Sequence, residues 1–105
     1  MQRQLLFTEE AAEQLQRLKS NPAKKGLYRQ VLKTLGLLEL NTKHPGLHTH
    51  EYQSLIGANG ERIWEAFVQN QTPGAYRVFF HYGPDTAVEK RRIPILTVVA
   101  IVAHP

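Results

Sequence analysis

The hydrophobic period changes once along this chain, and that change limits the fold more than any other feature. Up to residue 40 the apolar positions recur at helical spacing: Ala11, Leu15 and Leu18, then Leu27, Val31, Leu35 and Leu38. From His50 onward they follow the alternation of strands. Helices that come first and strands that come afterwards belong to the α+β class.

Local signals place the elements. Gln4 to Phe7 is short and apolar enough for an edge strand. Thr8 is a good N-cap, and Glu9 and Glu10 follow it in the first turn, where acids favour the helix dipole. Asn21-Pro22 closes this helix and opens a second, predicted from Pro22 to Leu40, with Asn21 as its cap. Lys24, Lys25, Arg29 and Lys33 lie mostly off its apolar stripe. So short a joint predicts an antiparallel helical hairpin. A loop around His44-Pro45-Gly46 leads to strands predicted at His50–Ile56, Ile63–Gln69, Ala75–Tyr82 and Ile93–His104. Gly57-Ala58-Asn59-Gly60, Thr72-Pro73-Gly74 and Gly83-Pro84-Asp85 separate them. The last strand is β-branched and apolar on both faces, which suits a central position. The expected architecture is one α+β domain over residues 1–105: an N-terminal helical hairpin packed on a small twisted antiparallel β-sheet.

With no cysteine, neither a disulfide framework nor a thiolate metal site is available. The longest apolar run, Ile95 to Ala103, is too short to span a bilayer as a helix, and the N-terminal run is too short for a signal segment. A soluble cytoplasmic protein with no membrane partner is expected. Lys plus Arg is 13 against 9 for Asp plus Glu, a net charge of +4. That surplus permits attraction to phosphate or to an acidic partner, and it fits an ordinary solvated surface equally well.

Four segments carry a family resemblance: Leu55-Ile56-Gly57, Ile63-Trp64-Glu65, Tyr76-Arg77-Val78-Phe79-Phe80 and Val99-Ala100-Ile101-Val102-Ala103-His104. Their order and spacing, behind two helices, resemble the RelE/ParE superfamily of bacterial toxins over nearly the whole chain. The resemblance implies the toxin of a type II toxin–antitoxin system, held inactive by a cognate acidic antitoxin. RelE-like members are endoribonucleases that cleave mRNA, in some cases at the ribosome, and require no cofactor. ParE-like relatives poison DNA gyrase instead, and an inactive relative kept as a binding subunit is a third alternative. The chain departs from the family pattern in three places. Pro105 stands where some members have a tyrosine. Histidines replace a lysine cluster before Leu55. The connection from Gly83 to Pro94 is longer than a simple hairpin turn.

Metal-free RNA cleavage needs a base for the 2′-hydroxyl, a cation for the charge on phosphorus and an acid for the leaving 5′-oxygen. Tyr76, Val78, Phe80 and Tyr82 share one face of their strand, expected to pack on the helices. Arg77, Phe79 and His81 share the other, expected to face solvent. Arg77 there would grip phosphate with a bidentate fork; the plainer alternative pairs it with a cross-strand acid such as Glu65. His104 is the acid or base that the resemblance points to, with a frayed terminal side chain as the alternative. His81, His50 and Glu51 are further candidates for proton transfer. His44, His48 and His50 lie close together, but their spacing is no metal signature, and no metal is expected. Lys90, Arg91, Arg92 and Arg62 would hold the RNA backbone, or serve simply as solvated charge. Trp64, Phe79 and Tyr82 are expected in the core or an interface.

Overall fold

Thr8 joins the first strand to the first helix with a single side chain. Its Oγ1 accepts a hydrogen bond from the Ala11 N–H at 3.1 Å, and its hydroxyl donates to the Val99 carbonyl at 3.3 Å. In the computed structural model, which describes residues 2–70 and 72–104, strand β1 (Gln4–Phe7) therefore ends where helix α1 (Glu9–Ser20) begins. A cap of this kind contributes about 1 kcal/mol. Asn21 caps the next turn through the Ala23 N–H at 3.0 Å. That turn, Pro22–Lys24, is a 3₁₀ segment, so helix α2 spans Lys25–Leu40 and starts later than Pro22.

The strands that follow are β2 (His50–Ile56), β3 (Arg62–Phe67), β4 (Tyr76–Tyr82), β5 (Thr86–Val88), β6 (Arg91–Ile93) and β7 (Ile95–Ala103). Five of them form one sheet in the order β1-β7-β4-β3-β2, with β7 in the interior. β1 runs parallel to β7, from Gln4 beside Ile95 to Phe7 beside Val98, and corrects the expectation of a wholly antiparallel sheet. Parallel neighbours need a long crossover, and the helices and intervening strands supply it here.

β5 and β6 form a separate two-stranded hairpin within the segment expected to be an irregular connection. Its two turn residues, Glu89 and Lys90, have φ of 51° and 65°. That left-handed pair is the geometry of a tight hairpin turn, built without the Asn-Gly signal that usually announces it.

Tyr76, Val78, Phe80 and Tyr82 of β4 do face the helices. Val78 and Phe80 are fully buried in a core with Leu18, Val31, Leu35, Leu38, Val98 and Ile101. Two irregularities shape the opposite face. Phe79 pairs with Ala100 and Phe80 with Val98, which leaves Val99 as a bulge in β7. β2 runs from Glu51 to Ile56 while β3 runs only from Trp64 to Arg62, so β2 also bulges. Tyr52, at the start of that bulge, packs edge-on against Phe79 with ring centroids 5.0 Å apart. Among the described residues no helix is long and apolar enough to cross a membrane.

Candidate active site

The sheet face turned away from the helices carries an open hollow of about 400 Å³, with Glu65 in its floor and His50, Phe67, Arg77 and His104 around it. Strand alternation puts Ile63, Glu65 and Phe67 of β3 on this face, and Glu65 is 1% exposed. Its Oε1 lies 2.7 Å from His50 Nε2, and its Oε2 lies 3.2 Å from His104 Nε2 and 3.7 Å from Arg77 Nε. A buried carboxylate is tolerated when cations or donors surround it, and here three neighbours do so.

Arg77 is set by its strand and by the β3–β4 turn. The guanidinium lies 3.7 Å above the centre of the Phe67 ring. Its Nη1 donates to the carbonyl oxygens of Gln69 and Tyr76. Gln69 also fixes the turn through its side chain, which accepts the Tyr76 N–H at 3.1 Å. These contacts leave Nη2 without a hydrogen-bond partner among the described residues.

His50 opens β2 directly after a 3₁₀ turn, Pro45–Leu47, whose following residue His48 is left-handed with φ 48° and ψ 40°. That conformation is uncommon for a side-chain-bearing residue. It places the His48 carbonyl oxygen 2.7 Å from His50 Nδ1. His104 follows β7, and its backbone N–H donates to the Ala75 carbonyl at 2.8 Å, which ties it to the same turn region. The ring stands edge-on to Tyr52, with centroids 5.8 Å apart.

Arg77, His104 and His50 thus converge, and Arg77 meets Glu65 as well; phosphate grip and acid pairing are compatible in one geometry. His81 does not converge with them. It shares the face of Arg77 but is 6% exposed, which corrects the expectation of a solvent-facing ring. Phe79 stands between the two, covered by Tyr52. Glu61 lies over His81, with Oε2 3.8 Å from Nε2. Hydrogen bonds from the backbone at Glu61 itself and at Asn59 hold the Glu61 carboxyl below its ordinary range.

Glu51 lies opposite Trp64, on the helix side of the sheet, and so turns away from the hollow. It forms a fork with Arg62 at 2.7 and 2.8 Å, and Arg62 in turn lies 5.3 Å from the Trp64 ring centre. The Arg62 hydrogen bond holds the Glu51 carboxyl below its ordinary range. Lys90, Arg91 and Arg92 belong to the β5–β6 hairpin, which follows the Tyr82 end of β4, about 17 Å of strand from Arg77.

Within that hairpin region Asp85 accepts the Ile95 N–H at 3.0 Å and pairs with Arg92 at 2.7 Å. The Ile95 N–H first, and then Arg92, hold its carboxyl below the ordinary aspartate range. A carboxyl that binds its proton less readily when folded stabilises the fold above its unfolded value, near pH 4, and loses that contribution as pH falls through the lower folded value. Asp85→Asn should therefore lower the urea midpoint at pH 7, and that difference should shrink as pH falls below about 4. A difference that grows on acidification would contradict the assignment.

Glu65 entered the sequence reading only as a pairing partner for Arg77, and Gln69, Tyr52 and the His48 carbonyl did not enter as site groups. Glu65 alone left a usable signal: one acid in the otherwise apolar alternation of Ile63, Glu65 and Phe67.

No protein-family model matches this chain, and no curated protein matches it. Among solved structures, the fold is similar to that of the YoeB dimer from Staphylococcus aureus, with a TM-score of 0.63 over 100% of both chains and 10% sequence identity. The likeness is one of fold.

Proposed function

We propose that this protein is the toxin of a type II toxin–antitoxin system, a single-domain cytoplasmic endoribonuclease that cleaves mRNA at the ribosome without a metal ion or other cofactor. The observation that carries this reading is the buried Glu65 carboxylate ringed by His50, His104 and Arg77 in one open hollow. Two imidazoles and a guanidinium are the proton-transfer pair and the cation that metal-free phosphodiester cleavage requires. The segment order that resembles the RelE/ParE superfamily supports the same reading, as does the fold likeness to the YoeB dimer.

In this reading Arg77 binds the scissile phosphate through Nη2 and stabilises the charge that builds on it. His104 and His50 exchange protons with the reacting oxygens. His81 and Glu51 take no direct part. Lys90 and Arg91 attract the RNA backbone at the far end of the sheet, while Arg62 and Arg92 are already engaged by Glu51 and Asp85. An acidic antitoxin that covers the hollow would silence Arg77, His104 and His50 together.

Expression of the chain alone in a bacterial host, with RNA 5′-ends mapped, tests the proposal. Growth arrest with new internal mRNA ends is the expected result. Arrest with intact mRNA and a loss of DNA supercoiling would favour the gyrase alternative.

A further inference from the structure

We infer that the RNA strand leaves the hollow past Phe67 and runs along the exposed side of α2, where Lys33, Arg29 and Lys25 bind its phosphates in turn. The inference rests on the ribonuclease reading and extends that site to the nucleotides beside the scissile linkage.

The route begins at the Phe67 end of β3. Phe67 borders the hollow and also a second cleft of about 230 Å³, which lies between α2 and the 3₁₀ turn Pro45–Leu47. Lys33 and Gln30 line that cleft from the helix, and His44 and Leu47 from the turn. Two contacts hold α2 in place here. The Thr34 hydroxyl donates to the Phe67 carbonyl at 3.3 Å, and the Gln69 side-chain amide donates to Gln30 Oε1 at 3.4 Å. The Gln69 carbonyl also accepts from Arg77, so the guanidinium of the hollow and α2 stand two hydrogen bonds apart.

Lys25, Arg29 and Lys33 form a row because residues four apart share a helix face. Successive members lie about 6 Å apart along the axis, close to the stride of an extended single strand from one phosphate to the next. All three are exposed, and among the described residues none of their side chains makes an ion pair or a hydrogen bond. Arg17, Arg62 and Arg92, by contrast, each meet a carboxylate, that of Glu13, Glu51 and Asp85 respectively.

The row also works against the stability of its own helix. Between Glu13 and Glu39 every charged residue is a cation. The first turn of α2 holds no acid, and Lys24 and Lys25 stand where the helix dipole disfavours positive charge. Like charges four residues apart repel one another as well. A run of locally unfavourable choices on one exposed face marks a surface kept for a polyanion and not for the fold. Because the row continues from Arg77 by way of Phe67, the polyanion it fits is the strand that occupies the hollow.

Binding of RNA that cannot be cut tests this. The probes are a fluorescent, fully 2′-O-methylated trinucleotide, the same trinucleotide lengthened by a run of uridines at its 5′ end or at its 3′ end, and a duplex hairpin of equal charge. The wild type should bind one of the two lengthened RNAs roughly tenfold or more tighter than the trinucleotide. The triple variant Lys25→Gln, Arg29→Gln and Lys33→Gln should lose that gain. Its plot of log affinity against log salt for that RNA should become shallower by about two, at roughly 0.7 for each phosphate released. The trinucleotide, and the RNA lengthened at the other end, should stay within about twofold of wild type. Exchange of charge for charge, as Lys25→Arg, Arg29→Lys and Lys33→Arg, should keep the gain. An equal loss on both lengthened RNAs would reveal a general positive field and overturn the track, and an equal loss on the duplex would assign the row to structured RNA instead. Unchanged RNA binding with weakened binding of a polyglutamate peptide would give the row to an acidic protein. A wild type that binds none of the RNAs overturns the ribonuclease reading together with the track. One that binds them all and is indifferent to the triple substitution overturns the track alone.

Discussion

Arg77→Ala should lower RNA cleavage by roughly a hundredfold to a thousandfold and release a growing culture from arrest. The expectation follows from where charge develops. The pentacoordinate phosphorus centre carries one more negative charge than the bound diester, and a fixed guanidinium stabilises it without reorganising. Arg77 is fixed by three separate groups: the Phe67 ring beneath it, the Gln69 carbonyl and the Tyr76 carbonyl. The same contacts mean that alanine also loosens the β3–β4 turn, so Arg77→Lys is the companion variant. Lysine keeps the charge but cannot hold two carbonyls and present a free nitrogen in one plane. It should retain cooperative urea unfolding and still lose most of the activity, as urea melts and mapped RNA ends would report. A culture arrested as firmly by Arg77→Ala as by the wild type would take this residue out of the mechanism.

Phe80→Ala should give the largest loss of stability, about 3–5 kcal/mol. The ring is fully buried between the sheet and the helices and meets Tyr82 edge-on at 5.7 Å. Domains are stable by only about 5–15 kcal/mol, so this one truncation removes a large share of the total. The urea midpoint should fall sharply with little change in slope. Cleavage by the fraction that remains folded should be nearly unchanged, since Phe80 points away from Glu65. A loss below about 1 kcal/mol would mean that the core closes over the vacancy.

The sequence and the structure agree where a period was long enough to read. The alternation of Tyr76 to Tyr82 put Arg77 on the face opposite the core, and the apolar run after Ile95 put that strand in the sheet interior. Agreement ended where backbone conformation, not side-chain pattern, decided the outcome. Glu89 and Lys90 form a left-handed turn without glycine, so β5 and β6 were invisible. His48 is left-handed with no residue preference to announce it, so its carbonyl could not be assigned to His50. The burial of His81 depends on how the Gly57–Gly60 turn brings Glu61 back over the sheet, a contact between strands that no local pattern encodes. Glu65 was readable as a partner for Arg77 but not as the group that gathers both histidines. That role needs the bulge in β2 and the tie from His104 to Ala75.

The pairing of β1 with β7 has a consequence for how the molecule comes into being. Once made, β1 waits with both edges bare for residues 95–98 to be synthesised. Both helices and all the intervening strands must be made before the sheet joins β1 to β4 through β7, and contacts between such distant stretches form slowly. His104 arrives later still. The ring of side chains around Glu65 is therefore closed only after β7 has been made, and a nascent chain stalled within β7 lacks one of its members.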